Sequence, residues 1–148
     1  MPASHTPPLG RLLESALFVE NTRSSMAFYE RVLGLAPLST LDASDANPRL
    51  IAMNVGGAQV LLLFRRDGST DGVPFAGGFI PGSNSAGTTH FAFAIDAIHY
   101  HHWKQHLDSI AIPIESEVRW ERGGRSLYFR DPDGHLVELA TPLLWPTY

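Results

Sequence analysis

The sequence contains no cysteine and no long apolar run. The first absence excludes disulfide bonds and thiolate metal sites. The second argues against a membrane partner, because a membrane-spanning helix needs roughly 20 consecutive apolar residues. The opening residues MPASHTPPLG also lack the charged and apolar segments of a signal peptide. We therefore expect a frayed N-terminal leader and a cytoplasmic location.

Charged residues are also scarce, at 18% of the 148 residues, and the formal net charge is −4. This balance argues against nucleic acid as a partner, because phosphate backbones attract basic surfaces. Hydrophobic residues make up 44% of the chain. Such a composition is typical of a globular protein, and we expect one domain over residues 1–148 with a core of its own.

An internal repeat is the most informative pattern. The strand-like segments ESALFVEN, from Glu14, and HFAFAIDA, from His90, lie 76 positions apart, and each precedes a helix pattern. Further on, GGAQVLLLF, from Gly56, matches DGHLVELAT, from Asp133, at an offset of 77. Each half therefore predicts one strand, one helix and three strands. We expect an α+β fold of two βαβββ modules, at about 11–65 and 88–140, joined by a flexible linker around 66–86.

The helix boundaries are readable from capping residues. Asn21 or Thr22 is expected to cap the first helix, and Gly34 to end it. The second helix is expected near residues 100–110, from an apolar stripe. Three histidines line up on one side of it without the glutamate of a zincin motif, and we expect them to form a solvated flank: His99, His102 and His106.

Three potential metal ligands fall on strand faces that also carry small alanines, which leave room for a cavity. Alternation along strands places Glu14, His90 and Glu138 on these faces. At an offset of 77, Glu138 corresponds to Leu61, so the predicted site has three ligands and one blank position. One imidazole and two carboxylates suit Mn²⁺, Fe²⁺, Zn²⁺ or Mg²⁺. The alternative is that these carboxylates are exposed or form ion pairs, for instance Glu14 with His90 or an arginine.

Other candidates surround this set. Tyr128 is a candidate catalytic hydrogen-bond donor to a substrate oxygen, or a tyrosine at the rim of the sheet. Arg125 is a candidate ligand for an anionic substrate, or a partner of acids in the following turn. Five apolar side chains are expected to line a substrate pocket or to fill the core: Phe18, Met53, Phe75, Phe79 and Trp120.

Three segments, SSMAFYERVLGL, THFAFAI and GGRSLYFRDPDGHLVELATP, resemble the vicinal oxygen chelate superfamily. That superfamily includes glyoxalase I, extradiol dioxygenases, fosfomycin-resistance transferases and bleomycin-resistance binding proteins. The resemblance extends over about residues 11–142. It implies a glyoxalase-like, pseudo-symmetric pair of half-barrels around a divalent metal, with ligands from the first and last strands of each module. It also implies a homodimer, a substrate that chelates the metal through two adjacent oxygens, and a carboxylate that detaches to act as base.

Carried over by position, the ligand positions hold Glu14, Leu61, His90 and Glu138, with Glu138 the candidate base. This set matches none of the metal-dependent subgroups closely. We expect a metal-dependent enzyme acting on a small oxygenated organic molecule, as a lyase, an isomerase or a ring-cleaving dioxygenase. The alternative is a metal-free protein, like the bleomycin-resistance proteins, that sequesters a drug or metabolite.

Overall fold

The computed structural model describes residues 6–148, so the first half of the predicted leader lies outside the described residues. The first module consists of β1 (Glu14–Val19), α1 (Thr22–Leu33), β2 (Ala36–Leu41), β3 (Leu50–Val55) and β4 (Gln59–Arg65). A short hairpin follows, β5 (Val73–Phe75) and β6 (Gly78–Ile80). The second module consists of β7 (His90–Ala94), a 3₁₀ turn (Ala97–His99), α2 (Tyr100–Ser109), β8 (Ser116–Arg119), β9 (Arg125–Arg130) and β10 (Leu136–Ala140).

The two modules have the same sheet topology. The first sheet has the order β1-β4-β3-β2 and the second has the order β7-β10-β9-β8. Within each, the first and last strands of the module pair in parallel, with Glu14 opposite Val60 and His90 opposite Leu136. This confirms the predicted α+β fold of two βαβββ modules and places Glu14 and His90 at matching points.

The register corrects the predicted partner of Glu138. Glu138 lies opposite Ala92 in β7 and Tyr128 in β9. In the first module, the residue opposite Ala16 and Ala52 is Leu62. The repeat offset therefore stays at 76 through the last strands, and the blank position is Leu62. A register difference of one residue moves a side chain to the other face of a strand, and Leu61, 3% exposed, lies in the core.

The wrong offset came from aligning turn glycines. The β3–β4 turn has two residues with positive φ, Gly56 at 60° and Gly57 at 71°, as a type I′ hairpin turn requires. The β9–β10 turn has Gly134 at 83° as the last residue of Asp131-Pro132-Asp133-Gly134. Each turn is closed by a hydrogen bond across three residues, from Ala58 N to Val55 O and from Gly134 N to Asp131 O. The turns coincide at an offset of 76, but their glycines do not.

Helix α1 begins and ends as expected. The Asn21 side chain accepts a hydrogen bond from Ser24 N, and Gly34 ends the helix at a φ of 68°. Both helices contribute to one core, where Phe28 of α1 packs near Phe129 of β9 and Tyr29 packs near Phe91 of β7. No helix in residues 6–148 is long and apolar enough to cross a membrane.

Polar contacts join the modules beside this core. The Tyr29 hydroxyl donates to Asp131 Oδ2 at 2.7 Å. His135 accepts from Thr89 N through Nδ1 and donates through Nε2 to the carbonyl oxygen of Phe18. Glu20 N donates to Asp133 Oδ1 at 2.8 Å. The turn before β10 therefore serves as a clasp between the modules, which the sequence analysis did not predict.

The segment predicted as a linker contains a hairpin. Val73 of β5 is buried, whereas the side chains of Phe75 and Phe79 are more than half exposed. The segment is therefore not a plain linker, because Ser69 and Val73 are both buried. Phe75 and Phe79 do not form a closed pocket wall in the single chain.

Candidate functional site

Glu138 lies at the centre of the second sheet. Its neighbours along β10, Val137 and Leu139, are buried in the core, so the Glu138 side chain projects from the opposite face of the sheet. The residue is nevertheless only 5% exposed. Its cross-strand neighbours on this face are Ala92 and Tyr128. The small Ala92 leaves space beside the carboxylate.

Both oxygens of the carboxylate have partners. Oε2 lies 2.9 Å from His90 Nε2, and Oε1 accepts a hydrogen bond of 3.0 Å from the Tyr128 hydroxyl. The His90 side chain is 53% exposed, and its ring centre lies 5.9 Å from that of Tyr128. These contacts offset the cost of removing the carboxylate from water. They also leave one imidazole, one carboxylate and one phenol together at an open surface.

The phenol of Tyr128 is held in its protonated form. Burial raises the pKa of Tyr128, and the hydrogen bond to Glu138 and the charge of that carboxylate raise it further. At neutral pH Tyr128 is therefore a hydrogen-bond donor. In the structure this donor is directed at Glu138 Oε1, and the predicted role as a donor to a substrate oxygen stays a prediction.

Glu14 is not part of this group in the single chain. It is exposed at the start of β1 and lines a cleft of about 520 Å³ with Ala92 and Ala94 of β7. Among residues 6–148, no group of three or more His, Cys, Asp or Glu side chains is placed to hold a metal ion. One chain thus brings together two of the three predicted ligands, His90 and Glu138.

His90 and Glu138 provide some of the donor atoms that a divalent metal needs. An imidazole nitrogen and a carboxylate oxygen converge from neighbouring strands, and both are ligand types that Zn²⁺, Mn²⁺ and Fe²⁺ accept. The exposed side of His90 gives access from solvent. His90 and Glu138 therefore provide two donor types of a metal site, and the described residues of one chain do not complete a group of three.

The structure separates the predicted pocket residues into two groups. Phe18 is partly buried and stacks on Phe64 with 5.5 Å between ring centres, on the same strand face as Glu14. The Trp120 indole donates to Ser126 Oγ, and Ser126 shares the strand face of Tyr128. Both remain candidates for the pocket wall.

Met53 and Arg125 lie elsewhere. Met53 is 0% exposed in the core, because the correct offset puts Ala52 and Asn54, not Met53, on the face that corresponds to Tyr128. Arg125 alternates with Tyr128 and projects from the opposite face, where its guanidinium lies 5.4 Å from the centre of the Tyr100 ring. Neither side chain contacts the Glu138 carboxylate.

The histidines in α2 and in the turn before it only partly match the prediction of a solvated flank. The ring centres of His99 and His102 are 5.9 Å apart. His106 Nε2 lies 2.9 Å from the carbonyl oxygen of Val32 in a part-buried contact, so it joins α2 to α1. His106 is therefore a structural residue.

The Tyr128–Glu138 hydrogen bond was missed in the sequence analysis. Its signal was available, since β9 and β10 form a hairpin around the Asp131–Gly134 turn. Placing the turn correctly pairs Tyr128 with Glu138 across the strands. The clasp residue His135 had no comparable signal, because its partners Thr89 and Phe18 are distant in sequence.

A sequence profile of the Glyoxalase/Bleomycin resistance protein/Dioxygenase superfamily matches residues 11–139. The chain belongs to this superfamily. The membership confirms the resemblance inferred from the three sequence segments, and the module topology agrees with it.

Individual members of the superfamily give finer comparisons. The crystal structure of lactoylglutathione lyase from Agrobacterium tumefaciens is 32% identical, with a TM-score of 0.81 over 95% of this chain and 99% of that chain. The metallothiol transferase FosB of Staphylococcus saprophyticus is 42% identical over 57 residues, which are 38% of each chain. The fosfomycin resistance protein FosX from Listeria monocytogenes is 18% identical, with a TM-score of 0.64 over 93% of this chain and 97% of that chain, and shows likeness of fold alone. The match to the curated relative thus spans well under half of its length.

Proposed function

We propose that this protein is a metal-dependent enzyme acting on a small organic molecule that binds a divalent metal through its oxygen atoms. The observation that carries the proposal is the pair formed by His90 Nε2 and Glu138 Oε2, 2.9 Å apart on the open face of the second sheet. A carboxylate in the middle of an otherwise apolar strand has no evident role in folding. Membership of the superfamily supports the proposal.

His90 and Glu138 would hold the metal, and Glu14 of a second copy would supply the third ligand. Three observations support this. Glu14 and His90 occupy equivalent points of the repeat, Glu14 is exposed, and no complete ligand group forms among the described residues of one chain. A homodimer that covers both ligand-bearing faces would bring such donors together, and the cytoplasmic location expected from the sequence is compatible with it.

The residues of this chain would divide the chemistry between them. When bound, the divalent ion would supply Lewis acidity that polarises a substrate oxygen. Tyr128, which is kept protonated by its raised pKa, would turn from Glu138 and donate its hydrogen bond to a substrate oxygen. Glu138 Oε1, released from the phenol, would then accept a proton from the substrate. Phe18 and Trp120 would exclude water at the sides.

The names of two relatives support a choice among the reaction classes. One is named a lactoylglutathione lyase and another a metallothiol transferase. These names favour a lyase, isomerase or thiol-transfer reaction over cleavage of an aromatic ring. An α-ketoaldehyde–thiol adduct is accordingly the substrate type to assay before a catechol.

A metal-free binding protein is the second candidate. Its support is that both oxygens of Glu138 already have protein partners, His90 and Tyr128. A satisfied buried carboxylate needs no ion. In that case the face around Glu138 would bind a drug or metabolite without transforming it.

Metal content separates the two candidates. The purified full chain is titrated with Mn²⁺ and Zn²⁺ and analysed for bound ions. We expect about one ion per chain and a rise in melting temperature. Glu138→Gln should lose both responses and remain folded, whereas Glu121→Gln, which removes an exposed carboxylate at the β8–β9 turn, should keep them. Equal responses in both variants, or no uptake by the wild type, would favour the metal-free binding protein.

Mixing two variants tests the shared site. Glu14→Gln and Glu138→Gln should each bind metal weakly. After the two chains are unfolded together and refolded, a mixed dimer contains one site with Glu14 from one chain and His90 with Glu138 from the other. Metal binding should then return to about half of the mixed dimers' sites. No recovery in a confirmed mixed dimer would show that Glu14 of a second copy is not a ligand.

A further inference from the structure

Two arginines lie directly opposite each other at the end of the second sheet. Arg119 of β8 and Arg125 of β9 are register partners, so their side chains share one face of the sheet. Like charges at directly opposed positions destabilise a strand pair. Within residues 6–148, neither arginine forms an ion pair with a carboxylate. No carboxylate among the described residues therefore pairs directly with either arginine to offset this repulsion.

The two arginines line a cavity of about 400 Å³ between α2 and the β8–β9 hairpin, together with Tyr100, Lys104 and Glu117. The cavity lies on the side of the sheet opposite to Glu138, because Arg125 and Tyr128 alternate across β9. It is therefore separate from the proposed metal site. Its lining is mainly polar, which suits a small charged ligand better than an apolar one.

The single carboxylate of the cavity is already neutralised. Lys104 Nζ lies 3.0 Å from Glu117 Oε1 and 3.1 Å from Oε2, and the Tyr100 hydroxyl donates to Oε1 at 2.8 Å. These contacts lower the pKa of Glu117, mainly through Lys104 and then Tyr100. Two positive charges remain, on a chain whose net charge is −4.

The Tyr100 ring positions one of these charges. The Arg125 guanidinium carbon lies 5.4 Å from the ring centre, within the range of a cation–π contact. A guanidinium held over a ring keeps its planar N–H fork available for other acceptors. Arg125 is thus oriented at the cavity without a carboxylate partner among the described residues.

We propose that this cavity binds a phosphate group, either as free phosphate or as part of a small phosphorylated molecule. A phosphate monoester carries about −1.5 to −2 charges at pH 7, which balances the two unpaired arginines. Two guanidinium forks match its oxygens in bidentate fashion. The bound anion would also remove the repulsion between Arg119 and Arg125. The proposal does not depend on the metal-dependent activity.

The test measures binding of inorganic phosphate by calorimetry and by thermal unfolding, with sodium chloride holding the ionic strength constant. Phosphate should raise the melting temperature of the wild type above its value in chloride. Arg119→Gln and Arg125→Gln should each weaken binding by about tenfold or more, since each removes charge-assisted hydrogen bonds. The matched control is Arg122→Gln, in the same hairpin and outside the cavity lining, which should bind as the wild type does.

Stability in chloride alone gives an independent readout. Arg119→Gln should melt at the same temperature as the wild type or higher, because it removes half of the repelling pair. A lower melting temperature would show that Arg119 has a structural partner and would overturn the argument. So would equal phosphate binding by all three variants, or no phosphate effect on the wild type.

The chemistry of the ligand is tested with two further probes. Glycerol 3-phosphate binding more tightly than inorganic phosphate would identify a small phosphorylated molecule, whereas weaker binding would identify free phosphate. Both results uphold the phosphate site. Succinate raising the melting temperature as much as phosphate would show a general anion site and refute the phosphate assignment.

Discussion

Removing the Tyr29 hydroxyl should destabilise the protein more than removing that of Tyr100. Tyr29 is fully buried and donates at 2.7 Å to Asp131 Oδ2, on a residue that is 5% exposed. The other oxygen of Asp131 accepts from the backbone N–H groups of Asp133 and His135. Tyr29→Phe therefore leaves Oδ2 without its hydrogen-bond donor in a site that water enters poorly.

A hydrogen bond to a charged group contributes about 1.5–3 kcal/mol, and a buried acceptor left unpaired costs most of that range. We expect Tyr29→Phe to lower the free energy of unfolding by about 2–3 kcal/mol. For a chain of this size, the melting temperature should fall by roughly 4–12 °C. The measurement is urea unfolding of the wild type and Tyr29→Phe at equal concentration, monitored by circular dichroism.

Tyr100→Phe is the matched control, since it removes the same atom from a bond to Glu117, whose side chain is 42% exposed, and from a longer contact of 3.3 Å to the carbonyl oxygen of Ser126. Glu117 keeps Lys104 and regains water, so the expected loss is about 1 kcal/mol or less. Equal losses in the two variants, or a loss under 1 kcal/mol for Tyr29→Phe, would refute the view that the clasp stabilises the fold.

The remaining predictions concern pH and the corrected register. The pKa of Tyr29 is raised above its ordinary value of 10 by burial and then by Asp131, so the folded state holds this proton more tightly than the unfolded state. The contribution of protonated Tyr29 to the free energy of unfolding is present below pH 10 and is lost as the pH rises further. Tyrosinate absorbance at 295 nm should show that Tyr29 ionises only when the protein unfolds. Ionisation of Tyr29 in the folded protein near pH 10 would contradict this. Leu62→Glu should keep the fold, because Leu62 is partly buried on the face equivalent to that of Glu138. Leu61→Glu should lower the free energy of unfolding by several kcal/mol, because it buries a carboxylate in the core. If urea unfolding showed Leu62→Glu to be the less stable variant, the repeat offset of 77 would be correct after all.

The sequence was sufficient for the module architecture and for the choice of Glu138 as an unusual residue. Both rest on local signals, the repeated strand–helix order and a carboxylate between apolar neighbours. The one-residue error arose because β3 and β4, LIAMNV and QVLLLFR, are almost continuously apolar. Such strands show no alternation from which a face can be read. The alignment was based on the turn glycines instead. As a result, Met53 and Leu61 were both assigned to the face of the site, although they lie in the core.

The position of Arg125 could have been read from the sequence. In RSLYFR the alternation is clear, and Arg125 shares a face with Leu127 and Phe129, which are both core residues. The pattern therefore excluded it from the face of Tyr128. The clasp was beyond reach for a physical reason, because its bonds join residues about 100 positions apart and depend on how the modules pack.

The two hairpin turns show how a duplicated unit becomes asymmetric without losing its register. They occupy equivalent places and close with equivalent hydrogen bonds. A turn made of two glycines can only reverse the chain, whereas one made of two aspartates and a glycine also presents side chains to the neighbouring module. The β3–β4 turn therefore only connects two strands, whereas the β9–β10 turn also binds the other module. An exchange of the two turns should leave both sheets intact and weaken only the attachment between them, so that a chain cut in the 66–86 segment would separate into its halves more readily.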